Sequence, residues 1–361
     1  MATVARVVDY SALLTPASPA DVAAYRAAAK ASGAPWTGTS MSTVGGVVAV
    51  VGIGALAVGM VVGGTAFSIA ASVDSGRSAG VVNLVVALIV VAGAALAINR
   101  GLAALNRRWE RWFRMDRFAQ ANGFTFSPSD SSPSYPGVIF QQGDSRNAIE
   151  HFRTVAGRFL DFGNYQYMTG SGKSRSVHNW GFLAIQLDRK LPNMVLDSLA
   201  NNRLFGMSNL PASFDKTQIL SLEGNFNSYF TLYCPKEYEP DALYVFTPDL
   251  MALLIDEASP FDVEIVDDWM FVYSALPFPP AVPAVYQRLF RIVETVGAKT
   301  LRQTDRYQDD RTALPFTANV VAPQGIRLKQ RVSVVAVIIG IAIIVFWGWG
   351  FVADIISSFT R

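Results

Sequence analysis

Chemistry in this chain would have to come from a short stock of reactive side chains. His151 and His178 are its histidines and Cys234 its cysteine. Each histidine falls in a stretch predicted to be a strand, with no Cys, His or Glu at metal-ligand spacing, so no locally encoded metal site is indicated. A Ser-His-Asp arrangement assembles from distant positions and leaves no spacing to read. The G-x-S-x-G elbow that often accompanies one does not occur. Both histidines therefore read as ordinary sheet residues. Cys234 precedes Pro235 at a predicted strand end and reads as a buried, inert thiol; being single, it forms no intramolecular disulfide and no cysteine zinc cluster.

Two further stretches invite a chemical reading. Gly170-Ser-Gly-Lys-Ser174 resembles part of a phosphate loop, but Tyr167 stands where the pattern needs its first glycine. A strand rather than a helix is predicted to follow, so no helix N-terminus would face a phosphate. The stretch is expected to be a hairpin tip. Asp256, Glu257, Asp262, Glu264, Asp267 and Asp268 form an acidic segment. Paired carboxylates can serve acid–base catalysis or bind calcium. Because Asp262 and Glu264 alternate with Phe261, Val263 and Ile265, the simpler expectation is a solvated strand face, turned back at Asp267–Asp268. No catalytic residue, metal ligand or cofactor site is assigned.

The elements that would position these residues are dominated by apolar runs. Charged residues make up 16% of the chain, against about 25% in ordinary globular proteins. The deficit lies in Val44–Val73, Ala79–Asn99 and Val332–Val352, each at least as long as the roughly 20 residues that read as a membrane-spanning helix, the first exceeding that length. Arg100, Arg107, Arg108, Arg111, Arg114 and Arg117 follow the second run, while the linker between the first two carries only Arg77. Basic residues flank spans on the cytoplasmic side. The expected topology has the N-terminus and main domain in the cytoplasm of a bacterium and the C-terminus outside its plasma membrane.

Within the basic stretch, Arg107, Arg108, Trp109, Arg111, Trp112 and Arg114 suit a membrane–water interface with anionic lipid. Trp347 and Trp349 suit an aromatic belt at the far interface. Ala55, Gly59 and Gly63, with Gly93 and Ala97, recur every four residues and read as helix-packing positions, either between spans or in a homo-oligomer. The net charge of +2 is too small to argue for nucleic acid as a partner.

Residues 119–326 have ordinary globular composition and several strand-like stretches joined by glycine-containing turns, which predicts an antiparallel meander with helices. Phe226-Asn-Ser-Tyr-Phe-Thr-Leu-Tyr233, Ala242-Leu-Tyr-Val-Phe-Thr-Pro-Asp-Leu-Met-Ala-Leu-Leu254 and Phe118-Ala-Gln-Ala-Asn-Gly-Phe124 carry a resemblance. The chain resembles an uncharacterised bacterial membrane-anchored family, domain of unknown function family 3137, over roughly Phe118 to Ser274. The resemblance implies paired N-terminal spans before a cytoplasmic α+β domain, and no established activity; the third span here is a departure.

The expected architecture is thus an α+β membrane protein. It comprises an N-terminal segment (1–41), a transmembrane hairpin (42–99), a basic amphipathic helix (100–118), a cytoplasmic antiparallel-sheet domain carrying helices (119–326) and a C-terminal transmembrane helix (332–353). The expected function is a non-catalytic, membrane-tethered interaction or regulatory module, with a binding surface on the aromatic hairpin around Phe226–Tyr233. Its expected partners are the lipid bilayer, a protein, and a second copy of itself. A membrane-bound enzyme or an accessory subunit of a transport complex are the alternatives.

Overall fold

The computed structural model describes residues 8–37, 59, 63–64, 78–131, 134–202, 207–312 and 319–330. They divide into two compact units, Asp9–Ala121 and a larger one comprising Met1–Val8 and Asn122–Arg361.

The smaller unit is helical: α1 (Ser11–Leu14), α2 (Pro19–Ala31) and the 44-residue α3 (Ser78–Ala121). Helix α2 starts where the sequence dictates. The Ser18 hydroxyl accepts from the Asp21 amide at 3.1 Å, and Pro19 takes the first helical position, where a missing N–H is harmless. Against α3, Tyr25 meets Trp109 and Phe113 edge-on, and Trp36 contacts Trp109 and Trp112. Both tryptophans of the basic stretch are consequently buried, and the Arg108 guanidinium lies 4.1 Å from the Trp112 ring centroid.

The membrane-spanning expectation is corrected here. Among the described residues, no helix is long and apolar enough to cross a membrane. The run Ala79–Asn99 is not a separate element; it is the first half of α3, which continues unbroken through the charged residues from Arg100 to Arg117. The finding overturns the membrane-protein fold class, and with it the plasma-membrane location and the inside–outside topology. The first expected span, apart from Gly59, Gly63 and Gly64, lies outside the described residues, as do Ala55, the third span, Trp347 and Trp349. Among the described residues, no atom outside its own stretch of helix stands within 4 Å of where a Cβ would be at Gly59, Gly63 or Gly93.

The larger unit is built on a seven-stranded antiparallel sheet: β1 (Phe124–Asp130), β2 (Asp144–Thr154), β3 (Leu160–Thr169), β4 (Ser176–Ser198), β5 (Ile219–Leu220), β6 (Phe230–Tyr233) and β7 (Asp262–Ser274). Strands β1 to β4 form the expected meander. The 23-residue β4 organises the rest. Its first half pairs β3, its second half pairs β6, and β7 runs beside both halves. The register of β4 against β7 shifts between Gln186 and Met194, so Pro192, which has no N–H to donate, sits in an irregular stretch where the ladder is already broken. Asp267, opposite Leu191, takes φ +51° and kinks β7. The expected turn at Asp267–Asp268 is therefore a kink inside one strand.

Helices α4 (Glu239–Val245), α5 (Pro248–Leu253), α6 (Pro283–Ile292), α7 (Ala298–Thr304) and α8 (Pro323–Ile326) complete the unit. Gly297 does not end a helix, as its position suggests; a wide turn, Val293–Gly297, carries α6 into α7. One sheet face packs Phe124, Phe152 and Phe162 against Tyr286 and Phe290 of α6. The other gathers Tyr135, Phe140, Tyr165, Phe182, Phe271 and Tyr273 into the main core.

Candidate functional site

The sheet buries two clusters of polar side chains at comparable depth. The first centres on Asp161, which is fully buried on β3. Tyr135 donates to its Oδ2 at 2.5 Å, Arg153 Nε donates to the same oxygen at 2.8 Å, and His151 Nδ1 lies 2.8 Å from Oδ1. Arg153 also donates to Asp130 at 3.0 Å. Burial, then the Asp161 charge, raise the Tyr135 hydroxyl far above the usual phenol range, so it remains a donor.

A bulge places His151 there. The register runs from Ile149 opposite Asn164 to Phe152 opposite Phe162, one residue longer on β2, and Glu150 absorbs the excess at φ +49°. The added residue shifts the alternation. His151 thus reaches Asp161 on the main-core side while its neighbour Phe152 packs on Tyr286. Gly163 makes room: a Cβ on it would lie 2.5 Å from the His151 Cα.

In the neutral imidazole, a carboxylate accepting at Nδ1 holds the proton on that nitrogen and leaves Nε2 as a lone-pair acceptor. That is the arrangement of a general base. Its surroundings do not match the role. His151 is 2% exposed, and Nε2 is enclosed without a hydrogen-bond partner. Ser127 pairs opposite it, but its hydroxyl donates to the Ser129 carbonyl at 3.1 Å. His178 has unrelated partners, Thr169 Oγ1 at 2.8 Å and the Tyr167 ring stacked at 4.8 Å. Cys234 is buried, and burial first, with Asp241 and Glu239 nearby, pushes its thiol up to about 12, which removes it as a nucleophile at neutral pH.

The second cluster corrects the reading of the acidic segment. Asp262 and Glu264 are buried, 0% and 3% exposed, not solvated. Alternation in a sequence says that two residues share a face, but not that the face is open. Glu264 accepts from the Val138 amide and the Tyr273 hydroxyl at 2.7 Å each, and from Asn193 at 3.2 Å. Asp262 Oδ1 accepts from the Ser198 amide at 2.9 Å, whereas its Oδ2 has no partner. Asp197 lies beside it on β4, one residue beyond the Leu196–Val263 pair. Desolvation, and then the neighbouring Asp197, raise the Asp262 carboxyl to about 7; desolvation raises Asp197 to about 6. The rest of the segment behaves as expected of surface residues: Asp256 is exposed, and Asp267 pairs with Arg327 at 3.0 Å.

The aromatic hairpin is a core element. Phe226 and Phe230 are fully buried and stacked at 5.2 Å, leaving Tyr229 exposed. Gly170–Ser174 is the β3–β4 connection, with both glycines at positive φ and a short turn at Gly172–Ser174.

An open cleft of about 620 Å³ lies at α4 and the chain after α7, lined by Pro240, Tyr244, Arg306, Tyr307, Asp310 and Arg311. Its floor is braced. Arg311 pairs with Asp241 at 3.0 Å and Asp309 at 3.3 Å and lies 4.1 Å from the Tyr238 ring centroid. Tyr238 donates to Asp309 at 2.6 Å, and Tyr307 to Asp241 at 2.7 Å. Its rim is open: Tyr244 and Arg306 are exposed. Nothing in the sequence marked this cleft, because its residues come from two stretches about 60 positions apart and match no spacing rule.

No group of three or more His, Cys, Asp or Glu side chains suited to a metal occurs among the described residues. The architecture defines the class: an antiparallel-sheet domain with helices on its faces. No family model matches the chain, and no curated protein matches it. Among solved structures it is similar to the crystal structure of the mycobacterial trehalose monomycolate transport factor A, at 13% identity and a TM-score of 0.33, covering 54% of this chain and 92% of that one. A likeness at that score carries nothing about function.

Proposed function

We propose that the chain is a non-catalytic interaction module whose sheet domain presents the Tyr244–Arg306 cleft to a partner protein. One observation carries the reading: a cleft with an exposed tyrosine and arginine on its rim and a floor braced by charge-assisted hydrogen bonds. Tyr and Arg are the side chains that most often dominate binding energy at protein interfaces. A braced floor loses little conformational entropy on binding. Arg306 has no ion pair among the described residues, which favours a segment offering an apolar side chain to Tyr244 and a carboxylate to Arg306.

A photo-crosslinking amino acid at position 244, compared with one at the exposed Val177, tests this in cells. The expected result is a discrete adduct at position 244 that disappears with Arg306→Glu. Equal labelling at both positions would remove the cleft from consideration. Turnover by the purified chain that vanished in His151→Ala would replace the binding reading with an enzymatic one.

A further inference from the structure

The helical unit has a groove of its own. Helix α2 meets α3 through Tyr25, edge-on to Trp109 and Phe113. Beside that contact runs a groove of about 630 Å³. Its α2 wall is Pro19, Val22, Ala23, Arg26, Ala27 and Lys30. These recur every three or four residues, so they share one face of the helix for about three turns, roughly 16 Å. Ala103, Arg107 and Glu110 follow the same spacing on α3, and the buried Trp109 also lines the groove.

Two properties of this groove select its occupant. The first is shape. Pro19, Ala23 and Ala27 are exposed and Ala103 is half-buried, so both walls are built of small side chains. Small side chains let the backbone of another helix come close. The second is charge. Arg26, Lys30 and Arg107 are exposed along the groove, against Glu110 alone. Arg26 lies 5.5 Å from the Trp109 ring centroid, and none of the three cations has an ion pair among the described residues. Residues 9–121 hold nine Lys and Arg against five Asp and Glu, so the field of the whole unit adds to that of the groove. The chain's stretches outside the described residues contain Asp74 and Asp354 as their acids, too few to answer three cations from within the chain.

We infer that the α2–α3 groove docks an acidic amphipathic helix of a partner protein. Carboxylates four residues apart on that helix meet Arg26 and Lys30, themselves four apart on α2. Its apolar stripe lies over Ala23, Ala27 and Trp109, as in other helix-in-groove complexes. Burial of the stripe supplies most of the affinity, while the exposed ion pairs set which helix is accepted and in which direction it lies. This surface is separate from the Tyr244–Arg306 cleft and does not depend on it.

The test uses the full chain and a fluorescein-labelled helical peptide about 15 residues long, with leucines along one face and glutamates flanking them. Fluorescence anisotropy is expected to give a Kd below about 100 μM that weakens several-fold as salt is raised to about 0.3 M. A scrambled peptide of the same composition, and one with lysine for every glutamate, should each bind at least tenfold more weakly. Ala27→Trp, which fills the groove from an exposed position, should cost at least tenfold, and Lys30→Glu several-fold, with folding checked by circular dichroism. Arg302→Glu, an equal charge change at an exposed site on α7, should leave binding as it is. Equal binding of the scrambled peptide, or an equal loss with Arg302→Glu, would mean that charge alone holds the peptide and would refute the inference. So would absence of binding by the parent chain. Displacement of the peptide by equimolar dodecanoate would hand the groove to a small anionic amphiphile. A dimer in light scattering that Ala27→Trp dissociates would hand it to a second copy, and either result overturns the partner helix.

Discussion

Asp161 and Asp262 are both fully buried carboxyls on neighbouring parts of one sheet, yet their surroundings are opposite. Asp161 is met by a guanidinium, a phenol and an imidazole. Asp262 is met by one backbone amide, the Asn201 side chain and a second carboxyl, and desolvation raises it to about 7. Equal depth of burial therefore goes with quite different partners. Which donors surround a buried acid is a property of the packing. In the first cluster three side chains meet Asp161, with His151 Nε2 left without a partner. The second brings two carboxyls together with no basic side chain acting on either among the described residues.

The contrast can be broken most severely at Arg153. Arg153→Leu strips Asp161 of its counter-charge and should destabilise the unit by about 3–4 kcal/mol in urea unfolding, reduced somewhat because a third of the arginine is solvent-exposed. A loss below about 1 kcal/mol would mean that Tyr135 and His151 suffice.

Next comes pH. Asp262 and Asp197 bind their protons more tightly folded than unfolded, where the ordinary value is 3.8. The stability this confers is complete below about pH 4 and is lost as pH rises through about 6 and then about 7. Between pH 5 and pH 8 the unfolding free energy should fall by on the order of 3 kcal/mol. Asp262→Asn should flatten the profile and be the more stable chain at pH 8. A fall of equal size in that variant would move the effect to another group.

A third change acts on the bulge. Gly163→Ala places a Cβ against the His151 backbone and should cost about 2 kcal/mol by thermal melting. If it costs nothing, the bulge is not what aims His151. The smallest effect is expected for His151→Asn, which can keep a donor toward Asp161 and should shift stability by less than about 1 kcal/mol.

Parts of this arrangement could be read along the chain. Ser18, Pro19 and Asp21 start α2 as capping chemistry requires, and Gly170 and Gly172 turn β3 into β4. The inert character of Cys234 was also legible, from its place beside Pro235. Other readings failed for definable reasons. The alternation of Asp262 and Glu264 pointed them to a common face, but Val138, Tyr273 and Asn193, from three other stretches, close over Glu264. The aromatic hairpin looked like a surface because hydrophobicity without context does not distinguish core from interface. The uncharged run Ala79–Asn99 looked like a self-contained span, yet it belongs to a helix that runs on through six arginines.

What the sequence determined by itself is local: caps, turns, the β1–β4 meander and the poverty of reactive side chains. These follow from backbone preferences and from spacings within a few residues. Only the tertiary structure decided which acids are buried, which of them meet a positive charge, and where a cleft opens. Those outcomes depend on contacts between residues far apart in the chain, such as Tyr135 with Asp161 or Tyr238 with Asp309. Electrostatic energy in a buried site is set by the handful of groups within a few ångströms, and no local pattern in a sequence records who those neighbours are.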